Sequence, residues 1–273
     1  MKKSFSQTLI NAPYILWSAL FIVVPLVIVV YFTFVNSQGE FTLEYLSELP
    51  EYADILLRSV LYALVATVIT LLLAYPFAYF MSTAKARTQG LMMMLIMLPM
   101  WMNLLIRTYS WTTILEKTGI INTLLSKVGI GHLQLIGTSG AVILGMVYNY
   151  LPYMILPIYT SIVKIDRSLY EAAEDLGSSG LQKFKKVIFP LSLPGIISGI
   201  TMVFVPSVST FYIADKLGGT KTLMIGDVIQ KKFDLDVYSG VGAALSLLLM
   251  IMIFICIAVM NKFSDSEDGG IIV

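Results

Sequence analysis

Six stretches without a single Asp, Glu, Lys or Arg divide the chain, at residues 4–39, 59–84, 88–106, 128–163, 187–214 and 237–261. Each holds an apolar core of at least about 18 residues, the length at which a helix crosses the hydrocarbon of a bilayer. Inside hydrocarbon every backbone N–H and C=O needs a partner within the protein, which leaves helices and closed barrels. The apolar runs are continuous rather than alternating, so they read as helices near 12–35, 57–82, 91–114, 139–163, 194–214 and 241–261. Only 13% of the residues are charged, against about 25% in a soluble domain. The expected fold is all-α: a polytopic membrane protein with six transmembrane helices, forming a single domain over 1–273. What remains between the spans is too short for a soluble domain of useful size.

Lys2 and Lys3 before the first apolar run suggest a secretory signal peptide, but the run is too long for one, contains Pro25 and lacks a small-x-small cleavage site. It reads as a retained first helix. With the N-terminus inside, the cytoplasmic segments hold Lys2, Lys3, Lys85, Arg87, Lys164, Arg167, Lys183, Lys185, Lys186 and Lys262. The first outer segment, 36–57, has Glu40, Glu44, Glu48, Glu51, Asp54 and no base. The outer loops 115–138 and 215–240 carry six lysines, yet the bias still favours both termini in the cytoplasm of a prokaryotic cell whose plasma membrane the chain crosses several times. The tail Ser264–Gly270 reads as a short, acidic and mobile end.

Several chemistries are excluded by what the chain lacks. Eighteen Lys and Arg balance seventeen Asp and Glu, so no bulk field recruits nucleic acid. One cysteine (Cys256) and one histidine (His132) leave neither a disulfide framework nor a metal cluster. The nearest approach to a phosphate-binding loop, Gly218-Gly219-Thr220-Lys221-Thr222, has the wrong spacing and falls outside the membrane. No nucleophile elbow accompanies His132. No catalytic residue is assigned.

The one long cytoplasmic connection, 164–193, has a pattern of its own. Ser168 and Glu171 have capping-box spacing, which predicts a helix from Ser168. Leu169, Ala172, Ala173 and Leu176 form a small apolar strip beside Glu171, Glu174 and Asp175, and Gly177 ends the helix. A second amphipathic piece, with Leu181, Phe184, Val187 and Ile188 opposite Lys183, Lys185 and Lys186, leads to Pro190 and Pro194 at the entry to the fifth span. Such a projection is suited to a partner's groove, although Ala and Glu would also serve a plain connecting helix.

The order Glu171-Ala172-Ala173, then Gly177, then Pro190 resembles the EAA signature of ABC importer permeases, with Val187 and Phe189 standing where that signature has Ile and Leu. Leu104–Tyr109, Gly145–Tyr148, Leu151–Met154, Ala214–Gly219 and Leu223–Ile229 resemble, more specifically, the B-type permeases of spermidine/putrescine importers. The resemblance covers nearly the whole chain. It implies the type I ABC importer fold and a partnership with a homologous C-type permease. It also implies two copies of a cytoplasmic ATPase, which binds ATP and Mg, and an extracellular or periplasmic polyamine-binding protein. This subunit itself then needs no cofactor. In that family the loop docks in a cleft of the ATPase, which assigns coupling to Glu171, Ala172, Ala173, Asp175, Leu176 and Gly177.

A pathway for an ammonium chain wants aromatic faces and a few acceptors without a deep negative trap. Trp101, Tyr148, Asn149, Tyr153, Tyr212 and Asp215 meet that description, because polar groups and Pro152 interrupt an otherwise apolar span. Trp111 and Tyr62 read instead as interfacial aromatics facing lipid headgroups. Asp215, at the outer end of the fifth span, either serves the cation or forms a structural pair with Arg107 on the third. Two rivals stay open: the same machine carrying iron, thiamine or an organic phosphate, and a secondary carrier, which would need intramembrane acids and no docking loop.

Overall fold

The computed structural model describes residues 5–219 and 222–268. In chain order, α1 (Phe5–Ser18) runs through a π turn (Ala19–Val23) into α2 (Val24–Phe34), followed by α3 (Glu44–Ser47), a 3₁₀ turn (Leu49–Tyr52), α4 (Ala53–Thr83), α5 (Ala86–Trp101), α6 (Leu104–Leu115) and α7 (Ile120–Lys127). Then come α8 (Ser139–Val163), α9 (Arg167–Asp175), α10 (Gly180–Lys183), a second π turn (Phe184–Ile188), α11 (Phe189–Ser209), α12 (Tyr212–Gly218), α13 (Ile225–Leu235) and α14 (Gly240–Asp268). No strand occurs among the described residues; a lone bridge joins Val35 and Phe41. Five helices are long and apolar enough to cross a membrane, and six if one bent pair counts as a single span. The all-α, six-span expectation therefore holds. Lys2, Lys3 and the Gly269-Gly270 end of the acidic tail lie outside the described residues, and the helix of α14 reaches Asp268.

Two compact units are present: Met1–Asp54 with Val228–Met252, and Ile55–Asp227 with Ile253–Val273. In the first, Phe32 packs on Tyr238 (5.2 Å between ring centroids) and the Lys232 ammonium lies over the Tyr52 ring. The most apolar window of Ala12–Phe34 has no buried residue. In the second, α4, α8, α11 and the π turn before α11 share a core of Ala74, Ala78, Met81, Met154, Ile158, Ile188 and Val203. A further core joins Ala66 of α4, Leu115 of α6, Val142 and Met146 of α8, and Ile213 and Leu217 of α12.

Close approach explains the tightest contact. A Cβ at Gly195 would meet Pro157 O and the Ser161 side chain, and one at Gly199 would meet Met154. Gly195 and Gly199 are four apart on α11, the small-residue spacing that lets two membrane helices touch backbone to backbone. Buried hydroxyls are satisfied within their own helices, as in hydrocarbon they must be: Thr67 Oγ1 donates to Ala63 O (2.7 Å) and Thr70 Oγ1 to Ala66 O (2.6 Å). Ser59 Oγ donates to Ile55 O (2.7 Å) and accepts Ile225 N–H (2.8 Å), fixing the start of α13 on α4.

Three boundaries differ from the sequence expectation. The span expected at 91–114 is broken: the axis turns by 92° between Ala86–Trp101 and Leu104–Lys127. Met102 is extended, its N–H returning to Pro99 O, and the Asn103 side chain restarts the helix by accepting Leu105 N–H at 2.7 Å. The span expected at 194–214 begins at Gly180, because the π turn carries the amphipathic piece straight into it. Phe189 N–H bonds Phe184 O, five residues back, and that wider turn accommodates Pro190, which has no N–H to give. The same span stops at Ser209, where Thr210 turns extended. Asp215 therefore sits on a separate helix of seven residues, α12, and not at the end of the fifth span.

Candidate functional site

The connection 164–193 folds as a capped helical hairpin. Its N-cap lies two residues before the expected Ser168: Asp166 is extended (ψ 134°) and its carboxylate accepts Ser168 N–H at 2.9 Å. Asp and Ser are comparable caps. That contact holds the Asp166 carboxyl below its ordinary pKa. At the other end Gly177 takes φ +73° while its N–H bonds Glu174 O (2.8 Å) and Ser178 N–H bonds Ala173 O (3.0 Å). This is the Schellman closure, and it needs a left-handed residue. A Cβ at Gly177 would meet nothing within 4 Å, so the glycine is required by backbone conformation alone. The capping box lies one helix later: Ser179 N–H bonds Gln182 Oε1 (2.9 Å) and Ser179 Oγ accepts Gln182 N–H (3.4 Å).

Lys183 of α10 returns to Glu174 of α9 in an ion pair and lies 6.0 Å from the centroid of Tyr170. Phe184 then wedges edge-on against Tyr75 (5.6 Å) and Tyr79 (6.0 Å) of α4. The hairpin is thus joined to a membrane helix through aromatic rings. Beneath it lies a cavity of about 880 Å³ between Tyr79, Lys85, Gln89, Arg167 and Tyr170.

The expected apolar strip is divided between two surroundings. Ala173 is buried, whereas Leu169 (44% exposed), Ala172 and Leu176 (87% exposed) face outward with Glu171 and Asp175. A helix of nine residues thus presents small and apolar side chains, flanked by acids, to whatever lies below it.

The residues expected along a pathway fall into separate groups. Tyr148 of α8 meets Trp111 of α6 edge-on at 5.4 Å. Trp111 and Tyr62 are half-buried, each with one side packed against the second core. Asn149 is buried; its Nδ2 donates to Gly145 O (2.8 Å) while its Oδ1 is buried without a partner. Tyr153, 40% exposed, lies against Tyr150. Trp101, 81% exposed, ends α5 at the bend. On α12, Tyr212 meets Tyr109 of α6 edge-on at 6.4 Å.

The pair between Asp215 and Arg107 is not formed. Asp215 Oδ2 lies 2.8 Å from Lys216 Nζ, its neighbour on α12, and Arg107 buries Nε and Nη1 without a partner. The nearer cation has taken the carboxylate. Lys216 drew no attention in the sequence because adjacent residues on a helix do not share a face; here its long arm folds back so that the ammonium also lies 5.7 Å from the Tyr212 centroid.

Residues 60–265 match the family described as the binding-protein-dependent transport system inner membrane component. The chain is 39% identical to the spermidine/putrescine transport system permease protein PotB of Haemophilus influenzae, over 85% of this chain and 84% of that one. To PotB of Escherichia coli K12 it is 38% identical, over 80% and 82% of the two chains. Its fold resembles the crystal structure of a bacterial ABC transporter involved in the import of the acidic polysaccharide alginate, with a TM-score of 0.74 at 16% identity over 97% and 96% of the chains. The chain belongs to the family of inner-membrane permease components of binding-protein-dependent ABC transport systems, and as such is a non-catalytic, multi-pass membrane subunit.

Proposed function

We propose that the chain forms half of the translocation pathway of an ATP-driven polyamine importer. The observation that carries this reading is its identity of 38–39%, over most of its length, with permeases whose names specify spermidine and putrescine transport. Its partners are a homologous C-type permease, two copies of a cytoplasmic ATPase that binds ATP and Mg, and an external polyamine-binding protein. Both termini and the loop 164–193 face the cytoplasm. ATPase closure moves the hairpin at 167–183, and the Phe184–Tyr75–Tyr79 wedge passes that displacement to the membrane helices as a rigid-body movement.

The exposed face of α9 supports the coupling assignment of Glu171, Ala172, Asp175 and Leu176, and the cap at Gly177 fixes where that face ends. Along the pathway, Tyr148, Asn149, Tyr153, Trp101, Tyr212 and Asp215 supply aromatic surface and acceptors for ammonium groups.

The test is uptake by the complete transporter in proteoliposomes with ATP inside and its binding protein outside. Labelled spermidine should accumulate only with ATP, unlabelled putrescine should compete, and thiamine, ferric iron and organic phosphates should not. Accumulation of one of those solutes instead of spermidine would overturn the substrate assignment; accumulation without ATP would overturn the mechanism.

A further inference from the structure

We propose that the Lys216 ammonium is a tethered stand-in for the transported cation, filling the site made by Asp215 and Tyr212 until substrate displaces it. The proposal rests on the polyamine reading above and names how that same site is regulated. The end of a polyamine is a primary ammonium on a chain of methylenes, and so is a lysine side chain. The resident ammonium makes the two contacts that a substrate ammonium would seek: a carboxylate oxygen at 2.8 Å and an aromatic face with its centroid at 5.7 Å. Tyr109, edge-on to Tyr212 at 6.4 Å, supports that ring.

The exposure of the pair decides whether it can open. The side chains of Lys216 and Asp215 remain 34% and 44% exposed, and ion pairs so exposed are weak. A soluble diammonium can therefore replace the lysine. The reverse replacement is intramolecular, because the tether keeps the lysine at high effective concentration beside the carboxylate. Each departure of substrate is met by a cation already in place, and Asp215 does not become a trap that holds the polyamine back. Lys216 is thus a specificity-determining and gating residue that exchanges affinity for turnover.

The experiment measures KM and kcat for spermidine in the complete transporter carrying Lys216→Gln, Lys216→Arg, Asp215→Asn or the Asp215→Asn/Lys216→Gln double substitution, all per assembled complex. If the lysine fills the site about nine-tenths of the time, its removal tightens apparent binding about tenfold. Lys216→Gln should lower KM by about that factor and lower kcat, since release slows, while Lys216→Arg stays near the parent. In the Asp215→Asn background the same lysine substitution should leave KM unchanged. A merely structural lesion would reduce assembly or kcat without tightening KM. Should the glutamine variant not assemble, Lys216→Met carries the same test. A parent that imports spermidine with a KM unmoved by Lys216→Gln would overturn the proposal alone. A parent that imports no polyamine would overturn the substrate reading, and this proposal with it.

Discussion

Gly177 and Gly195 are both glycines for which alanine is the smallest possible change, yet they answer to different physics. Gly177 stands at φ +73° with open space around it, so alanine there meets only the left-handed penalty, about 1 kcal/mol. Gly195 has ordinary helical geometry but no room: its Cβ would meet a backbone oxygen that cannot move aside, an overpacking of about 1–3 kcal/mol. Gly177→Ala should leave the amount of folded protein near the parent and weaken co-purification of the ATPase, with Gly177→Val worse because β-branching narrows the backbone further. Gly195→Ala should lower the melting temperature in detergent. Equal melting temperatures for the two variants would contradict this division. The cap at Asp166 gives a pH dependence at the same scale. Its folded pKa is depressed, chiefly by the backbone N–H of Ser168. Its contribution is therefore fully present above the unfolded value, about 3.9, and is lost as pH falls through the lower folded value. Between pH 5 and 8 that contribution is constant, so ATPase co-purification should keep a fixed ratio to that of an Asp166→Asn variant, which keeps an uncharged cap; a ratio that changes with pH within that range would refute the assignment.

The bend between α5 and α6 is made by a few side chains. Pro99 supplies the last bonded carbonyl, Met102 is extended and Asn103 caps the new helix. Asn103→Ala should cost about 1 kcal/mol of stability and Asn103→Asp almost nothing, read as thermal unfolding of the purified complex. Equal losses for both would mean that the cap is not what holds the bend. Pro99 and Asn103 are visible in the sequence, and together they foretell a local irregularity. A right-angled turn is not legible there, because it depends on what α6 finds to pack against. The same holds for α9: its existence and its end at Gly177 follow from propensity and the cap, but the choice of Asp166 over Ser168 is between two nearly equal caps. The burial of Ala173 beside an exposed Ala172 is a matter of tertiary packing, which helix propensity does not carry. Likewise the fifth span loses its last residues at Thr210, a position with no breaker in the sequence; there a Cβ on Gly226 would meet the carbonyls of Ser209 and Thr210.

At the scale of the whole molecule, hydropathy fixes the number of spans, while the direction in which they run rests on loop charge. With Cys256 replaced by Ser to remove the native thiol, Ser47→Cys should react with an impermeant thiol reagent in intact cells and Ser179→Cys only after permeabilisation. The opposite labelling would invert the topology. The pathway was the least legible part, because which aromatics line it depends on helix rotation and not on composition: Trp111 and Tyr148, read from the sequence as a lipid-facing and a pathway aromatic, pack edge-on against each other. The outward face of α9 bears also on the life of the chain before assembly. Leu176 stands 87% exposed on a helix whose two ends are already capped, so the surface is formed and apolar whether or not an ATPase covers it. In a subunit synthesised in excess of its partner, that leucine would stay open to quality-control proteases until assembly covers it. The subunit's half-life in a pulse–chase experiment should lengthen when the ATPase is co-expressed, and Leu176→Ser should lengthen it without the ATPase. On that outcome, the quantity of permease in the membrane would be set by its scarcest companion.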